Sequence, residues 1–506
     1  MTNRSGHQAL RVDHLQADLA GRSMRGGAVT VGALGFKIAI QFGTVIILSR
    51  LLPPQAFGIL AMVVALTEFL EYIKEFGLST ATIQKRDITH DQVSALFWMN
   101  ATLGVAVALV MVAAAPLIAL FYGRPELTEI ARWLAVGFVI TGMSTQHSAL
   151  LARQMRFNTL AVIGVSCEVL GMVAAIAAAL AGADFWSLVV QRLVYCSALS
   201  VATWTAAGWC PGRPRRCPGL MPLLVIGGSM TGSAIINNLG RVVEPALIGW
   251  WWGALPLGLY ERSHKLLMSP MNTATAPIYS VGMPALSRLD EDTGQYRRAY
   301  LSLSEKLSMA TVPAAALTVA SADLIVSVML GAQWREATAI VAWLGVAAAL
   351  SPVGVATGLL FITQGRAPEL LKVGAIGSTI GVISAVIGLP FGAVGVAAGL
   401  ALSTMLVRVP LCFWFAGRKG PVTVADLYAS VMPSLLAAGL ALASVSAFRQ
   451  IPAVDNAQPI VALILCSGVG FAATAICFCC IPRSRRALQS VLDLVWRMLA
   501  HRRAVA

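Results

Sequence analysis

The chain of 506 residues is 57% hydrophobic and only 12% charged, against roughly 25% charged residues in an ordinary soluble domain, which excludes a water-solvated globular fold. Near-continuous apolar stretches such as Ala101 to Leu120 and Gly171 to Ala183 exclude a transmembrane barrel, whose strands of roughly ten residues alternate apolar and polar side chains. The net charge of +14 is scattered over many short segments and not gathered on one domain, so nucleic acid is not an expected partner.

The first 27 residues are polar and charged, without a short apolar core that runs into a small-residue cleavage site, so no removable signal peptide is expected. Apolar windows long enough to cross roughly 30 Å of hydrocarbon then follow at 28–51, 56–78, 94–121, 131–152, 159–181, 185–209 and 220–240. Seven more follow at 244–260, 299–330, 335–363, 369–389, 392–416, 426–448 and 458–481. Backbone groups in lipid need hydrogen-bond partners within their own segment, so each window is expected to be a helix. Basic residues mark alternate ends of these spans, among them Arg22, Arg25, Lys85, Arg86, Arg153, Arg156, Arg213, Arg215, Arg216, Arg288, Arg366, Arg418, Lys419, Arg483 and Arg485. The opposite loops hold only Arg50, Arg124, Arg132, Arg241, Arg335 and Arg449. Cytoplasmic loops of bacterial membrane proteins carry this excess, which predicts both termini on the cytoplasmic side of the inner membrane. Beyond the last span, Leu488, Leu492, Val495 and Leu499 share one helical face, with Arg485, Arg486, Arg497, Arg502 and Arg503 around it. That is the pattern of a helix lying on an anionic lipid surface.

Two halves of the chain resemble each other at an offset of about 200 to 210 residues. LLPPQAFGIL at Leu51 to Leu60 matches WWGALPLGLY at Trp251 to Tyr260, with Gly58 and Gly258 in equivalent places. LIALFYG at Leu117 to Gly123 then echoes LIVSVMLG at Leu324 to Gly331, and Trp133-Leu134 echoes Trp343-Leu344. The expected fold is an all-α integral membrane protein of about fourteen helices, with two homologous six-helix lobes around a central cavity. Its parts are a tail at 1–27, an N-lobe at 28–209, a C-lobe at 210–416, two further helices at 417–481 and a basic amphipathic tail at 482–506. The nine cysteines sit mostly in apolar segments without histidines at ligand spacing, so they read as packing residues and no metal site is expected.

Three segments carry a resemblance to a known family. They are RLLPPQAFGIL at Arg50 to Leu60 with FGLSTATIQ at Phe76 to Gln84; YERSHKL at Tyr260 to Leu266 running on to PIYSVGMPALSRLDED at Pro277 to Asp292; and LGAQW at Leu330 to Trp334. The chain resembles the polysaccharide-transport (oligosaccharide flippase) branch of the multidrug/oligosaccharidyl-lipid/polysaccharide flippase superfamily over roughly residues 25–450. Gly282, Met283 and the run Trp250 to Trp252 depart from its pattern. The resemblance implies alternating-access transfer of undecaprenyl-pyrophosphate-linked repeat units from the cytoplasmic to the periplasmic leaflet, without covalent chemistry. It implies as partners the lipid-linked oligosaccharide, membrane lipids and other polysaccharide assembly proteins.

Hydrated sugar and pyrophosphate cannot enter hydrocarbon unaided, so the protein must supply a polar cavity, and charged residues inside the spans are its first candidates. Lys37, Arg192 and Arg408 offer positive charge for pyrophosphate or an acidic sugar, against the alternatives of structural ion pairing and, for Arg408, snorkelling to the interface. Arg262 and Lys265, with His264 and Arg288, lie where a pyrophosphate would arrive, although topology explains their charge equally well. In the second span, Glu68, Glu71 and Glu75 share a face, and Glu71 can pair with Lys74 at i, i+3. Glu68 is read either as a titrating carboxylate or as the partner of Lys37, the latter slightly preferred. Glu168 is a second carboxylate for proton or sodium coupling, with Asp184 nearer the periplasm; either can instead cap a helix or pair with Arg192. Nothing in the sequence selects the coupling ion, and the cofactor assignment stays open. Arg241, Glu244, Asn237 and Asn238 are read as turn and capping residues before sugar ligands, and His147 beside Gln146 as packing before proton transfer. Three rival functions remain: a membrane polymerase or ligase, which needs ionisable groups on a substantial periplasmic loop; a drug or cation exporter, which needs an acidic aromatic cavity; and a scaffold that transports nothing.

Overall fold

Helices are the regular elements of the computed structural model, with no strand among the described residues, which are 19–75, 78–84, 88–214, 240–277, 282–289, 292–455 and 457–489. The expected seventh span at 220–240 lies outside them but for its last residue, as do Asn237, Asn238 and the amphipathic tail from 490 onward. Packing divides the chain into two compact units, 1–261 and 262–506.

The first unit contains α1 (Leu19–Leu51), α2 (Pro54–Glu75), α3 (Leu78–Gln84), α4 (His90–Tyr122), α5 (Glu126–Arg153), α6 (Phe157–Leu180) and α7 (Trp186–Ala207). Residues 240–252 form α8, and α9 (Ala254–Pro277) continues across the unit boundary. Thr89 starts α4 with a reciprocal capping box to Gln92, and Gly123 ends it in the left-handed conformation at φ 66°, which only glycine adopts without strain. The α4 and α5 helices pack most extensively, with α5 and α7 and α6 and α7 also in contact, and α1 lies against α6. Lipid offers no hydrophobic drive between helices, so close approach of backbones must supply the attraction. Gly104 and Gly142 allow it: a Cβ on Gly104 would sit 2.7 Å from the Phe138 carbonyl oxygen, and one on Gly142 would sit 2.9 Å from that of Asn100.

The paired glycines of the repeat meet face to face. A Cβ on Gly58 in α2 would fall 1.7 Å from the Ala254 carbonyl oxygen, and a Cβ on Gly258 in α9 would fall 1.9 Å from that of Pro54. Each glycine thus lies on the carbonyl four residues before the other, the reciprocity a local two-fold relation produces. Eighth in the expected order, the span 244–260 is in fact two helices that meet at Gly253, whose φ of +82° breaks the run. Hydropathy had read through that break because Trp250, Trp251 and Trp252 keep the segment apolar.

The second unit contains α10 (Thr293–Ala320), α11 (Ala322–Leu330), α12 (Thr338–Thr363), α13 (Ala367–Gly388), α14 (Gly392–Ser403), α15 (Val409–Gly417), α16 (Val424–Phe448) and α17 (Pro459–Cys480). Its core gathers Tyr296, Tyr300, Leu359, Phe361, Phe413 and Val431 from α10, α12, α15 and α16. The α10 and α11 helices, expected as one span at 299–330, bend by 82° at Ser321. Arg449 holds that corner, donating to the Ala320 carbonyl at 2.9 Å and to Asp323 at 2.8 Å. The 51-residue apolar run Ala367–Gly417 folds back at Leu389–Phe391, which brings α13 and α14 together as neighbours. Eight described helical stretches are long and apolar enough to cross a membrane, or nine with the bent pair taken as one span. The chain is therefore a multi-pass membrane protein.

Candidate functional site

The charged face of α2 meets α5 and α7 inside the first unit. Lys74 is 3% exposed and pairs with Glu71 one turn before it, as the i, i+3 spacing predicts. Its ammonium also donates to the Thr141 hydroxyl at 2.6 Å and lies 5.9 Å from the centre of the Phe138 ring. Thr141 in turn donates to the Gly137 carbonyl at 2.8 Å. A buried ammonium is tolerated only when paired and hydrogen-bonded, and these two acceptors with one aromatic ring meet that requirement.

Beside this pair opens a shallow cleft lined by Thr67, Glu71, Leu134, Gly137, Phe138, Thr141, Arg192 and Cys196. Arg192 reaches it from α7. It makes no ion pair or hydrogen bond with any described residue, and it is exposed where Lys74 is buried. Arg192, Glu71 and Lys74 all lie within electrostatic reach of Cys196. With Lys74 neutralised by Glu71, Arg192 leaves the cleft with one net positive charge. Thr67 donates to the Val64 carbonyl at 2.9 Å, so its oxygen keeps its lone pairs for a ligand.

Other expected residues are placed elsewhere. Glu68 is exposed and Lys37 is half-buried on α1, and no ion pair joins them among the described residues. The helix of Lys37 packs on α6, so proximity of the first two spans in sequence did not make them partners. Glu168 is half-buried on α6 and shares with Arg192 an electrostatic reach to Tyr195, but it forms no ion pair with that arginine among the described residues. Asp184 takes a left-handed φ of 43° in the turn between α6 and α7. In the second unit, Arg408 occupies the last position of a π-helical turn, Thr404–Arg408, half-buried with its Nε beside Gly377. Such bulges aim a side chain off the regular helical register. Arg262 is buried at 6% exposure, whereas Lys265 is exposed.

Glu244 departs from its reading as a capping residue: it is buried within α8 and accepts a 3.0 Å hydrogen bond from the Tyr260 hydroxyl. His147 is fully buried, stacked on Trp204 at 4.2 Å, with Nε2 3.2 Å from the Trp209 carbonyl. Its aromatic surroundings are those of a packing residue. Sequence reasoning missed Thr67, Thr141 and Cys196 as cleft residues, because small polar side chains are common along membrane helices. The one available signal was the polar run Thr141 to His147 in an otherwise apolar span.

Relatives and solved structures align with this arrangement. The chain is 26% identical to the teichuronic acid biosynthesis protein TuaB of Bacillus subtilis (strain 168) over 303 residues, 60% of this chain and 63% of that protein. It is 24% identical to the lipopolysaccharide biosynthesis protein WzxC of Escherichia coli (strain K12), over 74% of this chain and 77% of that protein. With the succinoglycan biosynthesis transport protein ExoT of Rhizobium meliloti (strain 1021) it shares 24% identity over 59% of its own length and 60% of the relative's. It thus spans about three fifths of TuaB and ExoT. Among solved structures, the lipid II flippase MurJ in its inward closed conformation superposes with a TM-score of 0.72 at 11% identity, covering 90% of this chain and 99% of MurJ. An inward-facing multidrug resistance MATE family transporter of the MOP superfamily gives 0.60 at 15% identity, over 79% of this chain and 99% of that one. At such identities the likeness is one of fold. The profile of the family described as "Polysaccharide biosynthesis protein" matches residues 47–339, more than half the chain, and the protein belongs to that family.

Proposed function

We propose that this protein is a flippase that carries lipid-linked oligosaccharide repeat units from the cytoplasmic to the periplasmic leaflet of a bacterial inner membrane by alternating access. The observation that carries the reading is Arg192, a guanidinium without an ionic partner among the described residues, facing a cleft that its helix shares with α2 and α5, two helices long and apolar enough to cross a membrane. A charge in that setting is costly and is retained where it meets a transported or bound group. Arginine matches phosphate and carboxylate with two parallel hydrogen bonds. The family, the transport name of ExoT and the flippase fold of MurJ support the same reading.

The topology that goes with it is fourteen spans in two six-helix lobes at 28–209 and 210–416, helices at 417–481, and both tails at the cytoplasmic face. In this reading Lys37 and Arg408 add to the cationic path, Arg262 and Lys265 stand at its cytoplasmic mouth, and Glu68 and Glu168 are the carboxylates available for proton or sodium coupling. A membrane potential supplies about 2.3 kcal/mol per charge per 100 mV, enough to bias such a cycle. The cleft does not favour a cation exporter, since its only carboxylate, Glu71, is already neutralised by Lys74.

The test is the leaflet position of the lipid-linked repeat unit in cells that lack the protein. Accumulation on the cytoplasmic leaflet, reversed by the wild-type gene and not by Arg192→Ala, is the expected result. Normal arrival at the periplasmic leaflet without polymerisation would point instead to a polymerase.

A further inference from the structure

In the second unit, one arginine locks the start of α13 to the end of α15. Arg366, its side chain 12% exposed, donates to the Phe415 carbonyl at 2.6 Å, the Ala416 carbonyl at 3.1 Å and the Lys419 carbonyl at 2.7 Å, which satisfies oxygens that the end of a helix leaves without partners. It also pairs with Glu369, in the first turn of α13, at 2.8 Å, so that carboxylate is already neutralised. Arg418 and Lys419 nevertheless reach the same carboxylate, at 3.4 Å and 3.3 Å. Three cations on one carboxylate leave two positive charges in surplus, and Asp426, the carboxylate in the first turn of α16, is closed by Arg297 at 2.8 Å. The positive-inside bias accounts for basic loops, but not for two cations gathered at the solvent side of a carboxylate that a third has neutralised.

An exposed apolar surface adjoins these charges. The Arg418 guanidinium lies 4.9 Å from the centre of the Trp414 ring, and that ring is exposed. On α13, Ile376 and Ile383 follow Glu369 on the same helical face, about 10 and 21 Å further along the axis, and both are exposed. The ligand this surface fits has an anionic head and an apolar tail. We propose that Arg418 and Lys419 form a headgroup site for an anionic phospholipid, the two side chains sharing its phosphodiester oxygens while an acyl chain lies along Ile376 and Ile383. Arginine offers phosphate two parallel hydrogen bonds and lysine a point charge, and the Arg366 lock holds both in place before the lipid arrives. The site requires only that the chain sits in a bilayer, so it stands apart from the question of what the protein carries.

The experiment is native mass spectrometry of the full chain in detergent, titrated with dioleoyl phosphatidylglycerol or with dioleoyl phosphatidylcholine, which share their acyl chains and differ in net charge. The first molecule of phosphatidylglycerol is expected to bind about tenfold more tightly than the first of phosphatidylcholine. Arg418→Gln with Lys419→Gln brings that ratio towards one; the Arg366–Glu369 pair is untouched, so the loops keep their lock. Arg418→Lys with Lys419→Arg keeps the charge and most of the ratio. Arg288→Gln with Arg298→Gln removes the same charge from two other exposed positions of the second unit and is expected to leave the ratio unchanged. Equal wild-type affinities for the two lipids overturn the site, as does a ratio that survives the Arg418 and Lys419 substitutions. An equal fall in the Arg288 and Arg298 variant would reduce the effect to diffuse surface charge and overturn it too. Excess inorganic phosphate is expected to leave the lipid bound, because it cannot use the apolar stripe; full displacement by phosphate would reassign the two cations to a soluble anion.

Discussion

Alanine at Gly58 adds one methyl group, and the crossing of α2 and α9 has no room for it. The new carbon would sit 1.7 Å from the Ala254 carbonyl oxygen, whereas a close C···O contact needs about 3.3 Å, so the helices must separate by roughly 1.6 Å there. Backbone oxygen cannot swing aside as a side-chain end can, and overpacking of this kind costs about 1–3 kcal/mol or more. Better helix propensity returns roughly 1 kcal/mol at most, so the net effect is a loss. Gly258→Ala creates the mirror-image clash at 1.9 Å from the Pro54 oxygen. Because one separation relieves both clashes, the double variant is expected to lose less than the two single losses added together. Thermal denaturation of the detergent-purified protein measures this, with Gly164→Ala and Gly439→Ala as controls, since nothing lies within 4 Å of a Cβ at either position. The controls are expected to be neutral or slightly stabilising. A Gly58→Ala protein that melts with wild type would refute the close crossing and, with it, the two-fold relation between the repeats at this point.

Three other outcomes follow from the same geometry. Glu71→Gln leaves the 3%-exposed Lys74 ammonium without its counter-charge, a loss of about 3–5 kcal/mol, while Lys74→Met strands only the 31%-exposed Glu71 and costs less; the double variant is expected to recover most of the stability, read by the same denaturation. Arg449→Ala removes the brace at the 82° bend, and with the pair part-exposed its loss is expected to stay within about 1 kcal/mol, measurable as a small lowering of the melting midpoint that Asp323→Asn should share. In a cysteine-free background, Cys210 and Cys479, both exposed, are restored one at a time; a membrane-impermeant maleimide is expected to label each in inverted vesicles and not in intact spheroplasts, and the reverse pattern would overturn the orientation drawn from the basic loops.

Much of the architecture was legible because a bilayer enforces one rule along the whole chain: a segment in hydrocarbon must be apolar and must satisfy its own backbone. Composition and hydropathy alone therefore established a multi-pass helical protein, and thirteen of the fourteen expected windows, all but 220–240, carry a helix or helices among the described residues. The Gly58 and Gly258 correspondence and the Glu71 and Lys74 pair were readable too, the first from an internal match at fixed offset, the second from a spacing that places both groups on one face. The breaks were not. At Gly253 and Ser321 the chain stays apolar while its direction changes, and hydropathy senses solvent and not direction. Nor could a single sequence tell which helix each charge would face. Lys37 and Glu68 are sequence neighbours by span, yet α1 settles on α6, and the group that joins the α2 charges is Arg192, about 120 residues further on. Long-range partnership is a property of helix packing, which depends on the shapes of all the contacting surfaces at once; the sequence by itself determined the solvent, the helices and the repeat, and only the tertiary structure decided that Glu71, Lys74 and Arg192 meet around one cleft.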